Sequence, residues 1–559
     1  MRRFLPCTLT SLLVALAPAP AFAQPADIVV VNAKVWTADD ANPQASAFAV
    51  RDGVFVAVGE DARDLIGGST RVIDAAGARV VPGLMDTHVH IVGAATSLGR
   101  LDLREASSKA DFLKRVHDYA SNLAPDEWVL GRGWSAESWP DQTPPTAEEL
   151  DEAAGRRPAL LTRMDGHSLL ASKTALDIAG IDASGPADPL GGKIGRFKDG
   201  KPDGAIFDQA MGLVSRYAPT EDAPRTRRLL KRAYAECNRY GLTQIGAIES
   251  RHGVETFFTP MDRTGELTLR IAATITGGGD TLDQWRPLLI WAASHRALSA
   301  HVRVIGFKGY MDGSLGSRTA WMDEPYADNP RDPNNAGFPL AMAANGELPK
   351  IILRAAAMGL QPAVHAIGDK ANDVVLNWYA KIPADQREKI RPRVEHAQHL
   401  LPRDVARFGA LGVIASMQPY HKADDGRYAV QRIGAERVKT SYAFRQLLDT
   451  GAALAFGSDW PVVSVNPWLG VHAAVSARTL DNKIFAPEQS ITLEEALKAY
   501  TTGAAFALHS EDKTGMIRVG YAADFAILNQ DPFGIKVEQI PSTRAVLTAL
   551  GGAVVYEQH

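Results

Sequence analysis

The chain has 559 residues, 46% apolar and 22% charged, enough globular material for a large core or two to three units. Its formal charge is −4 and no basic block stands out, so nothing in it suits nucleic acid or an anionic membrane surface. Small molecules are the partners that remain, and self-association into a homo-oligomer is left open.

At the N-terminus, Arg2 and Arg3 precede an apolar stretch from Leu9 to Ala17, then Pro18, Pro20 and Ala21-Phe22-Ala23. A positive start, a short apolar run and a small-x-small site make a secretory signal over 1–23. Cleavage near Ala23 predicts export to the periplasm or the cell exterior. The run is too short for a bilayer and no later stretch reaches spanning length, so no membrane anchor is expected. Losing the signal removes Cys7 and leaves Cys237 as the only cysteine, which forbids an intrachain disulfide.

From 24 to 82 the pattern is one of short strands, at 28–36, 47–50 and 54–58, the last two joined by the turn Arg51-Asp52-Gly53. A matching pattern returns within 505–559, at 520–528, 545–547 and 553–556. Two β segments flanking a long middle predict one composite β-sandwich built from both chain ends.

The middle, 83–504, alternates apolar runs with helical patterns such as 226–240 and 348–358. Eight strands are predicted, at 80–91, 242–248, 267–276, 302–310, 360–365, 393–396, 412–417 and 452–457. Eight βα units give an α/β fold of the (β/α)8 TIM-like barrel type. The competing open sheet would carry a Gly-rich phosphate loop after its first strand, and none is present. The gap after the first strand is too long for a loop. Residues 92–224, with further strands at 127–133 and 158–164, read as an inserted subdomain covering the barrel mouth.

Chemistry concentrates at the strand ends. The first barrel strand closes on Asp86-Thr87-His88-Val89-His90. Residues two apart on a strand share a face, so His88 and His90 project together as a seat for a divalent metal. Lys308 from the fourth strand, His365 from the fifth, His396 from the sixth and Asp459 after the eighth can converge on the same rim. Two ions need a bridging group, and Lys308 would supply one if its amine carried CO₂ as a carboxylate. Each residue also has a structural alternative: Lys308 could pair with Asp312, and Asp459 could cap the helix that follows. Glu395 is expected to point away from the pocket, because it precedes His396 on one strand, and to support a ligand from behind or pack the barrel. His117, His295, His301, His509 and His559 read as surface or packing residues.

Several stretches then carry a family resemblance. They are Pro82-Gly83-Leu84-Met85-Asp86-Thr87-His88-Val89-His90, Gly166-His167-Ser168 and Asp312-Gly313-Ser314-Leu315-Gly316-Ser317-Arg318-Thr319. They continue with His365-Ala366-Ile367-Gly368-Asp369, Val394-Glu395-His396-Ala397-Gln398, Gln418-Pro419-Tyr420-His421 and Gly457-Ser458-Asp459-Trp460-Pro461-Val462. The chain resembles the metal-dependent amidohydrolase superfamily, in the amidohydrolase 3 branch that includes N-substituted formamide deformylases. The resemblance implies a barrel holding two divalent ions, zinc foremost, with a carboxylated Lys308, and a composite β domain. One position departs: Ser172 stands where the branch places Asn.

The expected activity is hydrolysis of an amide-type, non-peptide C–N bond by a metal-activated hydroxide. Asp459 would move the proton, and His365 and His396 would hold the second ion. His167 and His421 are candidates to bind the developing oxyanion or orient the substrate. Arg318 is a candidate for an anionic substrate group, with Asp312 or Asp323 as alternative partners. Trp134, Trp139 and Trp460 are candidates for an aromatic pocket wall. The same site type also serves esterases, lactonases and phosphoester hydrolases. A non-catalytic binding protein is disfavoured by the complete ligand set. No Gly-x-Ser-x-Gly and no His-Glu-x-x-His occurs, so serine and thermolysin-like chemistries find no support.

Overall fold

Eight parallel strands pair in chain order: β1 (Leu84–Val89), β2 (Leu242–Ser250), β3 (Arg270–Thr276), β4 (Val302–Tyr310), β5 (Gln361–Ala366), β6 (Arg393–His396), β7 (Ile414–Met417) and β8 (Leu454–Phe456). A parallel bridge between Val89 and Trp460 brings β8 back to β1 and closes the (β/α)8 barrel. The structure is a computed structural model that describes residues 24–558 apart from 125, 221 and 329–331. The expected signal at 1–23 and His559 lie outside the described residues. Among the described residues, no helix is long and apolar enough to cross a membrane.

The predicted first strand, 80–91, is two strands. Arg79–Pro82 belongs to a terminal sheet and β1 to the barrel, with the break at Gly83. A Cβ on Gly83 would stand 2.1 Å from the Thr243 hydroxyl, so only glycine lets the chain pass between the two sheets. The predicted strand 28–36 divides in the same way. Ile28–Val31 and Lys34–Trp36 join different sheets, and Asn32 turns the chain at φ 53°.

Those terminal strands form a four-stranded sheet from the N-terminal segment and a six-stranded sheet shared by both ends. Arg79–Pro82 pairs antiparallel with Phe525–Leu528. Val30, Phe48 and Phe55 from one sheet meet Val80, Phe525 and Leu547 from the other in a common apolar core. The short helix Thr502–Ala507 closes the bottom of the barrel. Its Ala504, Ala505 and Ala507, with Leu508, pack on Met85, Ala272, Ile305, Ile414 and Ala455. The opposite, C-terminal face is therefore the open one.

Over that face lies the insertion, a six-stranded sheet that includes Val129–Trp134, Ala159–Arg163 and Ser168–Ala171. Its helix Lys109–Ala120 starts where the Ser108 hydroxyl accepts from the Asp111 amide, and it seats Phe112 and Val116 on the sheet.

Candidate metal centre

The ends of β1 and β8 are stapled together before any ligand is considered. Asp86, inside β1, accepts from the amides of His88 at 3.1 Å and Ser458 at 2.9 Å. A Cβ on Gly457 would lie 2.6 Å from that carboxylate, so glycine is needed for the approach. Burial pushes the Asp86 pKa up to about 7, against the pull of those donors. The Asp459 amide donates to the His88 carbonyl at 2.7 Å, and the His90 amide to Trp460 at 2.9 Å. The residues with ligand-type side chains thus close the barrel through their own backbones.

Glu395 faces inward rather than away, yet it stands behind a candidate ligand, one of its two expected roles. Arg393 and Glu395 both point into the barrel, and His396 reaches the same centre because its φ of 76° breaks the alternation. Such a conformation costs a non-glycine residue about 1–3 kcal/mol, and Asp459, at φ 60°, bears the same strain. Glu395 Oε2 stands 2.5 Å from His88 Nδ1 and accepts from Ser416 Oγ at 2.8 Å. Its other oxygen lies 2.6 Å from Arg393 Nε. Burial opposes the charge, but Arg393 and His88 bring the Glu395 pKa down to about 2. An ionised carboxylate at Nδ1 fixes the His88 tautomer and leaves Nε2 as a lone pair facing the rim.

His88 Nε2 faces Lys308 Nζ at 3.1 Å and Asp459 Oδ1 at 3.5 Å, and His90 Nε2 lies 3.3 Å from the same oxygen. The His396 ring sits 4.4 Å from that of His365 and 6.1 Å from that of His421, nearly parallel to the latter at 12°. Two sets of ligand atoms each fall within 4.8 Å: His88, His90 and Asp459, then His396, His421 and Asp459. His365 is in neither set. Its Nε2 lies 3.1 Å from the Gly313 carbonyl, an arrangement that leaves Nδ1 as the lone pair.

These groups fit divalent ions. His396 Nδ1 and His421 Nε2 are buried without a hydrogen-bond partner among the described residues. Burial, then Lys308, pushes the His88 pKa down to about 4. Burial also holds His365 and His396 well below the usual imidazole range. All three are neutral at pH 7, the protonation state that ligates. Lys308 is fully buried and does not pair with Asp312, which instead accepts amides from Trp321, Ile367 and Gly368. Burial draws the Lys308 pKa down to about 8. Asp459 caps no helix.

His167 reaches the site from the insertion, its ring 4.9 Å from that of His365. Its Nδ1 lies 2.7 Å from Asp208. Burial works against its charge, but Asp208, Asp165 and Asp312 hold its pKa above the ordinary value. His167, Lys308 and the β1 histidines line a cavity of about 280 Å³.

Other expected contacts are placed elsewhere. Arg318 is bound in two bonds, at 3.1 and 3.0 Å, by Asp328 rather than by Asp312 or Asp323, and it lines cavities away from the imidazoles. Trp134 and Trp139 pack with Phe112 in the core of the insertion, their indole N–H groups donating to Leu161 and Ala106 carbonyls. Trp134 borders the same cavity as Arg318, and Trp460 is buried in the barrel core. Both tryptophans help fill the core of the insertion, with Leu103, Leu150 and Leu161 around them. Ser172 caps the helix Lys173–Ala179 and donates to the Arg157 carbonyl, so it makes no contact with the site. His117 and His295 are exposed, and His301 pairs with Asp262, away from the rim.

Three residues at the site escaped the sequence reading. Tyr310 follows Lys308 by two on β4, so strand alternation was a usable signal. Asp165 lies just before Gly166-His167-Ser168 and borders both cavities around the imidazoles. Arg132 enters the larger cavity from between two glycines.

Residues 71–556 match the Amidohydrolase family. The chain is 35% identical to Protein LONG AFTER FAR-RED 3 of Arabidopsis thaliana, over 95% of this chain and 92% of that one. It is 26% identical to the N-substituted formamide deformylase of Arthrobacter pascens, over 95% of this chain and 98% of that one. An uncharacterised metal-dependent hydrolase from Pyrococcus horikoshii aligns with a TM-score of 0.71 at 25% identity, covering 91% of this chain and 99% of that one. With this barrel, these candidate ligands and this match, the chain belongs to the amidohydrolase family and is a metal-dependent hydrolase.

Proposed function

We propose that the protein hydrolyses an amide-type, non-peptide C–N bond of a small molecule using two divalent ions, zinc foremost. The observation that carries this reading is one carboxylate, Asp459, shared by two sets of ligand atoms. His88 and His90 would hold one ion, and His396, with His365 and His421 beside it, the other. When bound, such ions make water a nucleophile near neutral pH and polarise a carbonyl.

The chain's own groups account for the rest. Burial disfavours charge on Asp459, but His88, His90 and His396 keep its pKa well below the usual carboxylate range. It stays an anion, placed to take a proton from the nucleophile and pass it to the leaving nitrogen. His167, tied to Asp208 at Nδ1, keeps Nε2 to donate to the developing oxyanion. His421, just after β7, would be the third member of that second set rather than a substrate contact. The lowered pKa of Lys308 raises its share of neutral amine, the form that adds CO₂. As a carboxylate it would bridge the ions, whereas an ammonium 3.1 Å from His88 Nε2 would repel them.

The likeness to a protein named N-substituted formamide deformylase puts N-formyl and N-acyl amines first in a screen, with ester analogues in parallel. Metal content should track activity, and amides should turn over. Asp459→Asn should retain bound metal and lose about 10²–10⁴-fold in rate. Turnover of esters alone would sink the amide assignment, and near-normal hydrolysis by the variant would remove Asp459 from the proton-transfer role.

A further inference from the structure

His167 stands on the insertion, whereas the groups it would serve stand on the barrel, so one must be registered against the other. Asp165 lies two residues before His167, just past the inserted strand Ala159–Arg163, and borders both cavities around the imidazoles. Its Oδ1 accepts from the His167 amide at 3.2 Å. Its Oδ2 accepts from the Ser314 and Ser317 hydroxyls, both at 2.6 Å, and pairs with Arg163. Burial opposes the charge, but Arg163, His167 and the two serines hold the Asp165 pKa below the ordinary carboxylate value. It is an anion whose acceptors are taken up by protein donors.

Ser314 and Ser317 belong to the turn that follows β4. The same turn presents the Gly313 carbonyl to His365 Nε2 at 3.1 Å. It therefore fixes the ring of His365 at one point and, through Asp165, the backbone of His167 at another. The two rings come 4.9 Å apart. The turn holds its own shape, with the Ser314 amide on Thr319 Oγ1 at 3.1 Å and the Ser317 amide on Ser314 Oγ at 3.2 Å. Two glycines let the cover approach it. A Cβ on Gly316 would stand 2.5 Å from Arg163 Nη1, and one on Gly313 2.9 Å from Asp208 Oδ2.

Asp208 orients the ring of His167 rather than its backbone. Its amide donates to the His167 carbonyl at 2.9 Å, and its Oδ1 lies 2.7 Å from His167 Nδ1. It does both at φ 47° and ψ −122°, a conformation that persists only where the surroundings impose it.

We infer that Asp165 is a positioning residue for the reaction: by tying the His167 turn to the turn after β4, it sets the distance between His167 and the ion seats. The role rests on the reading of His167 as oxyanion donor. Such a donor works only within hydrogen-bond reach of the place where charge develops, and a misplacement of about 1 Å can cost about 100-fold in rate. An Asp165 that merely balanced Arg163 would loosen the cover without acting through His167.

A double-mutant cycle separates the two. Asp165→Asn should lower kcat for N-formyl and N-acyl amines by about 10- to 100-fold, with KM and chelator-measured metal affinity near wild type. His167→Ala should lose about 100- to 1000-fold, and the double variant should fall within about 2-fold of it. Calorimetric binding of methylphosphonate, a tetrahedral anion standing in for the oxyanion, to the metal-loaded protein should weaken with the same coupling. Ser317→Ala, which leaves every charge in place, should repeat the pattern at smaller size, and it decides the matter if Asp165→Asn does not fold. Equal losses with and without His167, loss of metal in Asp165→Asn, or wild-type kcat in these variants overturns the inference. Coupled weakening of methylphosphonate without turnover of any amide upholds the positioning role and overturns the amide reading instead. Absence of both turnover and methylphosphonate binding overturns both.

Discussion

The barrel rim and the sheet inserted above it use ionisable side chains in opposite ways. At the rim, each group is tied on one side and open on the other. His88 is held by Glu395 through Nδ1, His365 by Gly313 through Nε2, and each keeps a nitrogen for the centre. In the cover, charges are buried as closed sets. Arg163 pairs with Glu137 and Asp165, Arg432 reaches across from the barrel to Glu137 and Asp328, and Asp328 also takes Arg318. Closed sets fix the cover over the mouth, because removing one partner leaves an uncompensated buried charge. Open groups are where a ligand can act. By that criterion Arg318 belongs to the scaffold.

The largest break in this contrast should come from closing the rim's most unusual open group. Lys308→Ala removes the proposed bridge between the two ion seats. The activity loss should exceed the roughly 10–100-fold that follows from losing a group behind a ligand. Formate, acetate or propionate should restore part of it by entering the vacated space as a carboxylate. Full activity without added acid would count against a bridging carboxylate, and loss without rescue would make Lys308 a structural residue.

A smaller effect is expected one layer down. Glu395→Gln keeps the shape beneath His88 and takes away the charge that fixes its tautomer and faces Arg393. Metal affinity should fall about 10–100-fold, measured by competition with a chelator. An unchanged affinity would reduce Glu395 to barrel packing.

How much of this was legible in the sequence follows the same divide. Parallel strands buried on both faces are apolar runs whose ends announce themselves, and β4 and β6 fall on the predicted 302–310 and 393–396. Ligand-type residues at those ends could be read off the strands, and the motif resemblance supported them. The inward placement of Glu395 could not, because a left-handed φ at His396 leaves no mark on a two-residue period. Nor could the break at Gly83, where the apolar run continues and the obstacle is Thr243, far along the chain. In the cover, a tryptophan that fills a core and one that lines a pocket look identical in sequence. The partner of Arg318, Asp328, lies in the same loop, and residue type alone does not single it out from Asp312 or Asp323.

Trp139 gives the finest test of that last distinction. Its indole N–H donates to the Ala106 carbonyl at 2.7 Å, and its ring packs 5.7 Å from Phe112. Trp139→Phe keeps an aromatic ring there but leaves that buried carbonyl unmatched. The cost should be about 1–2 kcal/mol, seen as a lower denaturant midpoint for the cover. If the tryptophan only fills the core, KM for the substrates found in the screen is the same as in wild type. A shift in KM would return it to the pocket wall, because a core ring has no contact through which to sense the substrate.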